Sequence, residues 1–171
     1  MKYIFDVAFL PSEVFKDHDV RIVVDLLRAT TQITTFFDGG GSVLVPLKEV
    51  EAAFEMKERL GKDWKIMGER GGLPAPGFDF GNSPLELLEA GVPEFAIITT
   101  SNGTRALMRA AEGCGRVLAG CARNAEAVCW DALCSGNNVG IICAGRNGEF
   151  SLEDTVCAGM LVEKLLALAP A

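Results

Sequence analysis

The feature that most narrows the fold is an alternation: short apolar runs recur down almost the whole chain, separated by stretches with apolar residues at three- and four-residue steps. Apolar runs this short suit strands covered on both faces, whereas the three-to-four spacing gathers apolar side chains on one side of a helix. Repeated in this order, the two patterns specify β-α-β units and a largely parallel sheet with helices packed on it. Seven runs read as strands: Tyr3–Phe9, Arg21–Val24, Val43–Val45, Lys65–Met67, Phe95–Thr99, Arg116–Ala119 and Asn138–Ala144. Helices are expected to begin near Thr30, Lys48, Pro84, Thr104, Asn124 and Leu152, with Val50, Phe54 and Leu60 forming one apolar stripe. Gly61, Gly91, Gly113 and Gly136 fall where such helices should stop. The expected fold is a three-layer α/β/α domain over residues 1–171 with a mostly parallel sheet.

In such sheets ligands bind beyond the carboxyl ends of the strands, so the residues following each apolar run carry the functional signal. Ile22–Val24 is followed by Asp25, Arg28, Thr30 and Thr31, and Ile66–Met67 by Glu69 and Arg70. Phe95–Ile98 leads into Thr99-Thr100-Ser101-Asn102-Gly103-Thr104-Arg105, and Val139–Cys143 into Arg146, Asn147 and the Glu153-Asp154 pair. Ser101-Asn102-Gly103-Thr104 sits between a strand and a helix, where exposed N–H groups and the helix dipole attract an anion. The plainer reading is that Thr104 caps its helix and Gly103 makes the turn. Arg70 and Arg146 on neighbouring strand ends favour the anion site, because the planar guanidinium matches phosphate or sulfonate oxygens. Asp25 and Glu69 would be costly at a buried strand end unless they met a cation or N–H donors. With Glu153 or Asp154 they offer the hard oxygens that Mg²⁺ prefers; the alternative is structural pairing of Asp25 with Arg28 and of Glu69 with another arginine. Glu69–Asn82 holds too many Gly and Pro residues for a helix or strand, and a loop of that length in a compact domain is usually functional or mobile.

A net charge of −7 sets the whole-molecule field against nucleic-acid phosphates, so an anionic ligand must be held by local arginines. No apolar run approaches the ~20 residues a membrane span needs, and the N-terminus carries no signal-peptide pattern, which reads as a cytoplasmic protein without membrane contact. The six cysteines include no Cys-x-x-Cys pair and there is one histidine, so they are expected to be buried free thiols rather than a zinc site or a disulfide framework. His18 is expected in a surface turn, and Trp64 and Trp130 in packing roles.

Five stretches resemble the 2-phosphosulfolactate phosphatase family. They are Val23-Val24-Asp25-Leu26-Leu27-Arg28-Ala29-Thr30-Thr31, Gly68-Glu69-Arg70-Gly71-Gly72, Pro76-Gly77-Phe78-Asp79-Phe80-Gly81-Asn82-Ser83-Pro84, Thr99-Thr100-Ser101-Asn102-Gly103-Thr104-Arg105 and Ser151-Leu152-Glu153-Asp154. The resemblance implies a Mg²⁺-dependent hydrolase that takes phosphate from 2-phospho-3-sulfolactate, leaving sulfolactate, a step toward coenzyme M. It also implies a further α/β segment beyond the helix that ends near Leu168. The expected roles are catalysis by Asp25, Glu69 and Arg70, and substrate binding by Arg28, Ser101, Asn102, Gly103, Thr104 and Arg146. Asp25, Glu69, Glu153 and Asp154 are the expected metal ligands. The expected partner is a small doubly anionic phosphorylated acid, with a homodimer left open. A haloacid-dehalogenase phosphatase would need a second Asp two residues after Asp25, where the chain has Leu27. The rival of another class is a non-catalytic binder of a small sulfonate or phosphate.

Overall fold

Every apolar run becomes a strand in the computed structural model, which describes residues 2–13 and 17–170. The strands are β1 (Ile4–Ala8), β2 (Val20–Val24), β3 (Val43–Pro46), β4 (Trp64–Gly68), β5 (Phe95–Thr99), β6 (Val117–Gly120) and β7 (Asn138–Cys143). The helices are α1 (Ala29–Asp38), α2 (Val50–Leu60), α3 (Pro84–Ala90), α4 (Gly103–Ala111), α5 (Ala125–Ser135) and α6 (Leu152–Leu168). Two helices start on a side-chain cap: Ser83 Oγ accepts the Glu86 N–H before α3, and Ser151 Oγ accepts the Asp154 N–H before α6.

All strand pairs are parallel, in the orders β1-β7-β2-β6 and β3-β5-β4. The strands thus form two hydrogen-bonded sheets rather than one continuous ladder. Each is covered on both faces, which is why β2 is buried at every position. Val20, Ile22 and Val24 point toward Val128, Cys129 and Ala132 of α5 and Leu161 and Leu165 of α6. Val23, one position out of phase, meets Ala106 and Ala110 of α4 on the other face. In the smaller sheet Ala96 and Ile98 pack with Ile33 and Phe36 of α1 and Leu87 of α3, while Ile66 and Ile97 pack with Ala53 of α2. Leu44 of β3 and Ala119 of β6 both pack against the Phe36–Ile98 cluster, so side-chain packing couples the two sheets. Helix α4 strengthens the link: it leaves β5 of the smaller sheet and packs on β2, β6 and β7 of the larger.

Three local expectations change. The His18 side chain is only 6% exposed; its Nδ1 accepts from Arg21 Nε at 3.4 Å and its Nε2 lies 3.6 Å from Asp6 Oδ2. The imidazole occupies space left by Gly140, where an added Cβ would come within 2.7 Å of Nδ1. Lys16, read as part of the same turn, lies outside the described residues. Trp64 stacks on Phe95 as expected, but Trp130 is 59% exposed. It falls on the side of α5 opposite Val128, Cys129 and Ala132, the face committed to the sheet. All six cysteines are free, with Cys121, Cys129, Cys143 and Cys157 buried, Cys114 half-buried and Cys134 exposed.

Candidate functional site

Four strand ends from the two sheets meet around one cleft of about 360 Å³, to which β2 contributes Asp25, β4 Glu69, β5 Ser101 and Asn102, and β7 Gly145 and Arg146. Arg28 from the start of α1 and Glu153 and Asp154 from α6 complete its charged wall. The cleft therefore gathers Asp25, Glu69, Arg28, Ser101, Asn102, Arg146, Glu153 and Asp154 from six separate parts of the chain.

Asp25 ends the most buried strand and is held by main-chain groups. Its Oδ1 accepts the Ala29 N–H at 3.2 Å, the Gly103 N–H also donates to it, and Thr30 Oγ1 closes the turn by donating to the Asp25 carbonyl at 2.9 Å. Gly103 matters for closeness: a Cβ there would stand 2.4 Å from the Ala29 Cβ and 2.6 Å from Asp25 Oδ2. The glycine thus lets the α4 backbone reach the Asp25 carboxylate.

Glu69 is anchored in the same manner, its Oε1 accepting the Ser101 N–H at 2.6 Å and its Oε2 the Gly72 N–H at 2.8 Å and the Ser101 hydroxyl at 3.1 Å. The residue before it, Gly68, has φ +134° and would put a Cβ 2.0 Å from the Thr99 carbonyl oxygen, so only glycine lets β4 run this close to the end of β5. Asp154 braces two strand ends: Oδ1 accepts the Leu26 N–H at 2.8 Å and Oδ2 the Gly145 N–H at 3.1 Å.

These carboxylates are crowded. Burial, reinforced by the negative charges of Asp154 and Glu69, pushes Asp25 up to about 7, against the pull of the Ala29 and Gly103 N–H groups. Burial also raises Asp154, opposed by its bonds from Leu26 and Gly145. The structural pairings weighed for Asp25 and Glu69 are replaced by backbone donors. Asp25 takes one N–H each from Ala29 and Gly103, so its carboxylate keeps lone pairs available to a cation or a proton.

Three candidates stand elsewhere. Arg70 points into a neighbouring cavity, donating to the Lys48 carbonyl at 2.6 Å, Thr99 Oγ1 at 2.6 Å and its neighbour's carbonyl, that of Glu69, at 2.7 Å. Thr104 is fully buried and exchanges bonds with Thr100: its N–H reaches Thr100 Oγ1 at 3.1 Å, and its Oγ1 accepts the Thr100 N–H at 3.2 Å. Those bonds tie the first turn of α4 to the end of β5. Gly103 lies behind Asp25 rather than on the cleft surface. Asp79, at the end of the Gly/Pro loop, is occupied by Lys57 Nζ at 2.6 Å and the Ile66 N–H at 2.8 Å.

One cleft residue absent from the candidate roles is Asn82, which is buried with no hydrogen-bond partner for Oδ1 among the described residues. The density of Gly and Pro from Glu69 to Asn82 was the signal for it. Only oxygen donors stand beside the two arginines, which suits a hard cation in donor type. Among the described residues, however, no three His, Cys, Asp or Glu side chains are grouped closely enough to cage a metal.

Fold and cleft together define an α/β protein that presents its ligand groups at the carboxyl ends of parallel strands. The chain belongs to the 2-phosphosulpholactate phosphatase family, whose family model matches residues 8–170. It is 41% identical over 152 residues to a protein of Deinococcus radiodurans, covering 88% of this chain and 63% of the relative. It is 42% identical over 142 residues to one of Clostridium acetobutylicum, covering 82% and 60%, and 44% identical over 146 residues to one of Symbiobacterium thermophilum, covering 84% and 62%. All three relatives are named probable 2-phosphosulfolactate phosphatase. The chain thus spans about three-fifths of the length of these relatives. No helix among the described residues is long and apolar enough to cross a membrane.

Proposed function

We propose that this chain carries the site of a phosphoric monoester hydrolase that releases phosphate from 2-phospho-3-sulfolactate, leaving 3-sulfolactate, in a route toward coenzyme M. The observation that supports it is the shared cleft of Asp25 and Glu69 with Arg28 and Arg146 at converging strand ends. Phosphoryl transfer demands mainly alignment and charge neutralisation, and those side chains offer both. Arg28 and Arg146 would take the phosphoryl oxygens, and Ser101 and Asn102 would orient the group. Asp25 and Glu69, with Asn82 Oδ1 in the same cleft, would hold Mg²⁺. When bound, the ion neutralises phosphoryl charge and lowers the pKa of a coordinated water. A site with few direct protein ligands is in keeping with Mg²⁺, which usually keeps several waters and binds one or two carboxylates with phosphate oxygens. A purely anion-binding protein would gain nothing from carboxylates placed beside its ligand. Leu27, 68% exposed at the cleft mouth, offers no carboxyl where a haloacid-dehalogenase site needs one.

The test is phosphate release from phosphorylated hydroxy acids with Mg²⁺ present and removed. Arg146→Ala is expected to lower kcat/KM at least about tenfold, as loss of a charge-assisted bond of ~1.5–3 kcal/mol requires. Unchanged kinetics in that variant would move the phosphoryl site elsewhere. Cation binding has its own readout. Mg²⁺ is expected to raise the melting temperature more at about pH 8 than at about pH 5, because at the lower pH the Asp25 proton competes with the ion. An equal shift at both values, or none, would remove Asp25 from the ligand set.

A further inference from the structure

Beside the acidic cleft lies a second cavity of about 550 Å³, lined by Arg70 and Arg105 with Ser12 and the short turn around Pro11. The two spaces share Ser101, Asn102 and Asn147 as a common wall. Their charge is opposite in kind. The first is lined by Asp25, Glu69, Glu153 and Asp154 together with its arginines, whereas among the described residues no Asp or Glu lines the second.

Arg70 is held rigidly there and its charge is not cancelled. Its three hydrogen bonds go to the Lys48 and Glu69 carbonyls and to Thr99 Oγ1, all neutral acceptors. These use three of the five guanidinium donors, leaving two for a ligand. Arg105 stands on the exposed outer side of the first turn of α4 and lines the same cavity. The wall is also stiff: Asn102 Oδ1 accepts the Asn147 N–H at 2.9 Å, joining the end of β5 to the loop after β7. In a chain of net charge −7, two arginines around one cavity without a lining carboxylate form a local sink for a small anion.

We propose that this cavity is a second anion subsite, and that Arg105 with Arg70 binds the anionic group of the substrate that is not transferred, a sulfonate or a carboxylate. The proposal deepens the hydrolase reading and rests on it for the identity of the ligand. The phosphoryl group occupies the acidic cleft, the organic part of the substrate crosses the wall of Ser101, Asn102 and Asn147, and its remaining charge ends between the two guanidiniums. Arg105 then sets specificity, because a phosphate ester without a second charge makes no use of it.

Calorimetric titration of the full chain with 3-sulfolactate, lactate and inorganic phosphate tests this, comparing the parent with Arg105→Gln. Arg105 is exposed, so the variant is expected to melt with the parent; Arg105→Lys serves as the charge-retaining control. The expected result is that Arg105→Gln weakens 3-sulfolactate binding at least about tenfold, leaves inorganic phosphate within about twofold, and is partly rescued in Arg105→Lys. Lactate has the carboxylate but no sulfonate. Unchanged lactate binding assigns the subsite to the sulfonate, and a matching tenfold loss assigns it to the carboxylate. The proposal is overturned if 3-sulfolactate binds both proteins equally, if all three anions lose affinity together, or if the parent does not bind 3-sulfolactate. The comparison needs no turnover. A chain that binds 3-sulfolactate through Arg105 but releases no phosphate refutes the hydrolase and keeps the subsite, and a chain that turns over independently of Arg105 does the reverse.

Discussion

Asp25→Asn is expected to lower phosphate release by at least about a thousandfold and, in the absence of divalent cations, to give a protein more stable than the parent at about pH 8. The loss of activity follows from removing the charge at the centre of the cleft. The gain in stability follows from the burial of Asp25 beside other carboxylates. Burial raises Asp25 from 3.8 to about 7, which makes its ionised form unfavourable in the folded state by about 4 kcal/mol. The amide removes that charge, but sets an NH₂ against one of the two backbone donors, Ala29 or Gly103, at a cost of about 1–3 kcal/mol. The net gain should be roughly 1–3 kcal/mol at high pH.

The dependence on pH has a definite sign. The folded pKa lies above the unfolded one, so between about 4 and 7 the native state binds more protons than the unfolded state. This contribution to the parent's stability is therefore greatest at the acid end and declines as the pH rises through that window. The amide does not titrate. The advantage of Asp25→Asn should shrink on acidification and vanish or reverse near pH 4, as read from urea melts without Mg²⁺ at three pH values. The same difference at every pH would mean that Asp25 is ionised in the fold at little cost, and that the crowding of the three carboxylates is not felt.

Gly103→Val is expected to remove activity and to lower stability by roughly 1–3 kcal/mol or more. Sequence reasoning treats Gly103 as a turn beside a bound anion, so that a larger residue would spare the fold and block only the ligand. The geometry places it differently. The new Cβ would stand 2.4 Å from the Ala29 Cβ, an atom fixed to the α1 backbone that no rotamer change can move aside. The amino-terminal ends of α1 and α4 would have to part, carrying with them the Ala29 and Gly103 N–H groups that hold Asp25. Gly159 is a suitable control, since it lies in a helix with no atom within 4 Å of an added Cβ. Chemical denaturation and phosphate release should therefore fall together in Gly103→Val and neither in Gly159→Ala. A Gly103→Val protein that melts with the parent would return Gly103 to the cleft surface.

The fate of each strand end was legible because it depends on local patterning. Ile22–Val24, Phe95–Ile98 and Val139–Cys143 are too apolar and too short for anything but strands covered on both faces, and the polar residues after them must lie at a sheet edge. That logic alone brought Asp25, Glu69, Ser101, Asn102 and Arg146 to one rim, where they line one cleft. It had no access to direction. Arg70 follows Glu69 immediately, and successive side chains leaving a strand point to opposite sides, so one enters the acidic cleft and the other the arginine-lined cavity. Thr104 illustrates the same limit, since its pattern suits both a ligand contact and a cap, whereas the structure buries it in reciprocal bonds with Thr100 and makes Asn102 the N-cap.

By itself, then, the sequence determined the order and type of the elements, the parallel sense of the strands and the residues delivered to their carboxyl ends, because periodicity of apolar residues and short-range breakers are properties of contiguous chain. Tertiary structure alone decided that the strands divide into two ladders, that His18 is buried over Gly140, and that Gly68 and Gly103 are the points of closest backbone approach. It alone also decided that the raised pKa of Asp25 comes from burial beside Asp154 and Glu69. Each of these depends on residues far apart in the chain reaching within a few ångströms of one another, and no local pattern encodes such a distance.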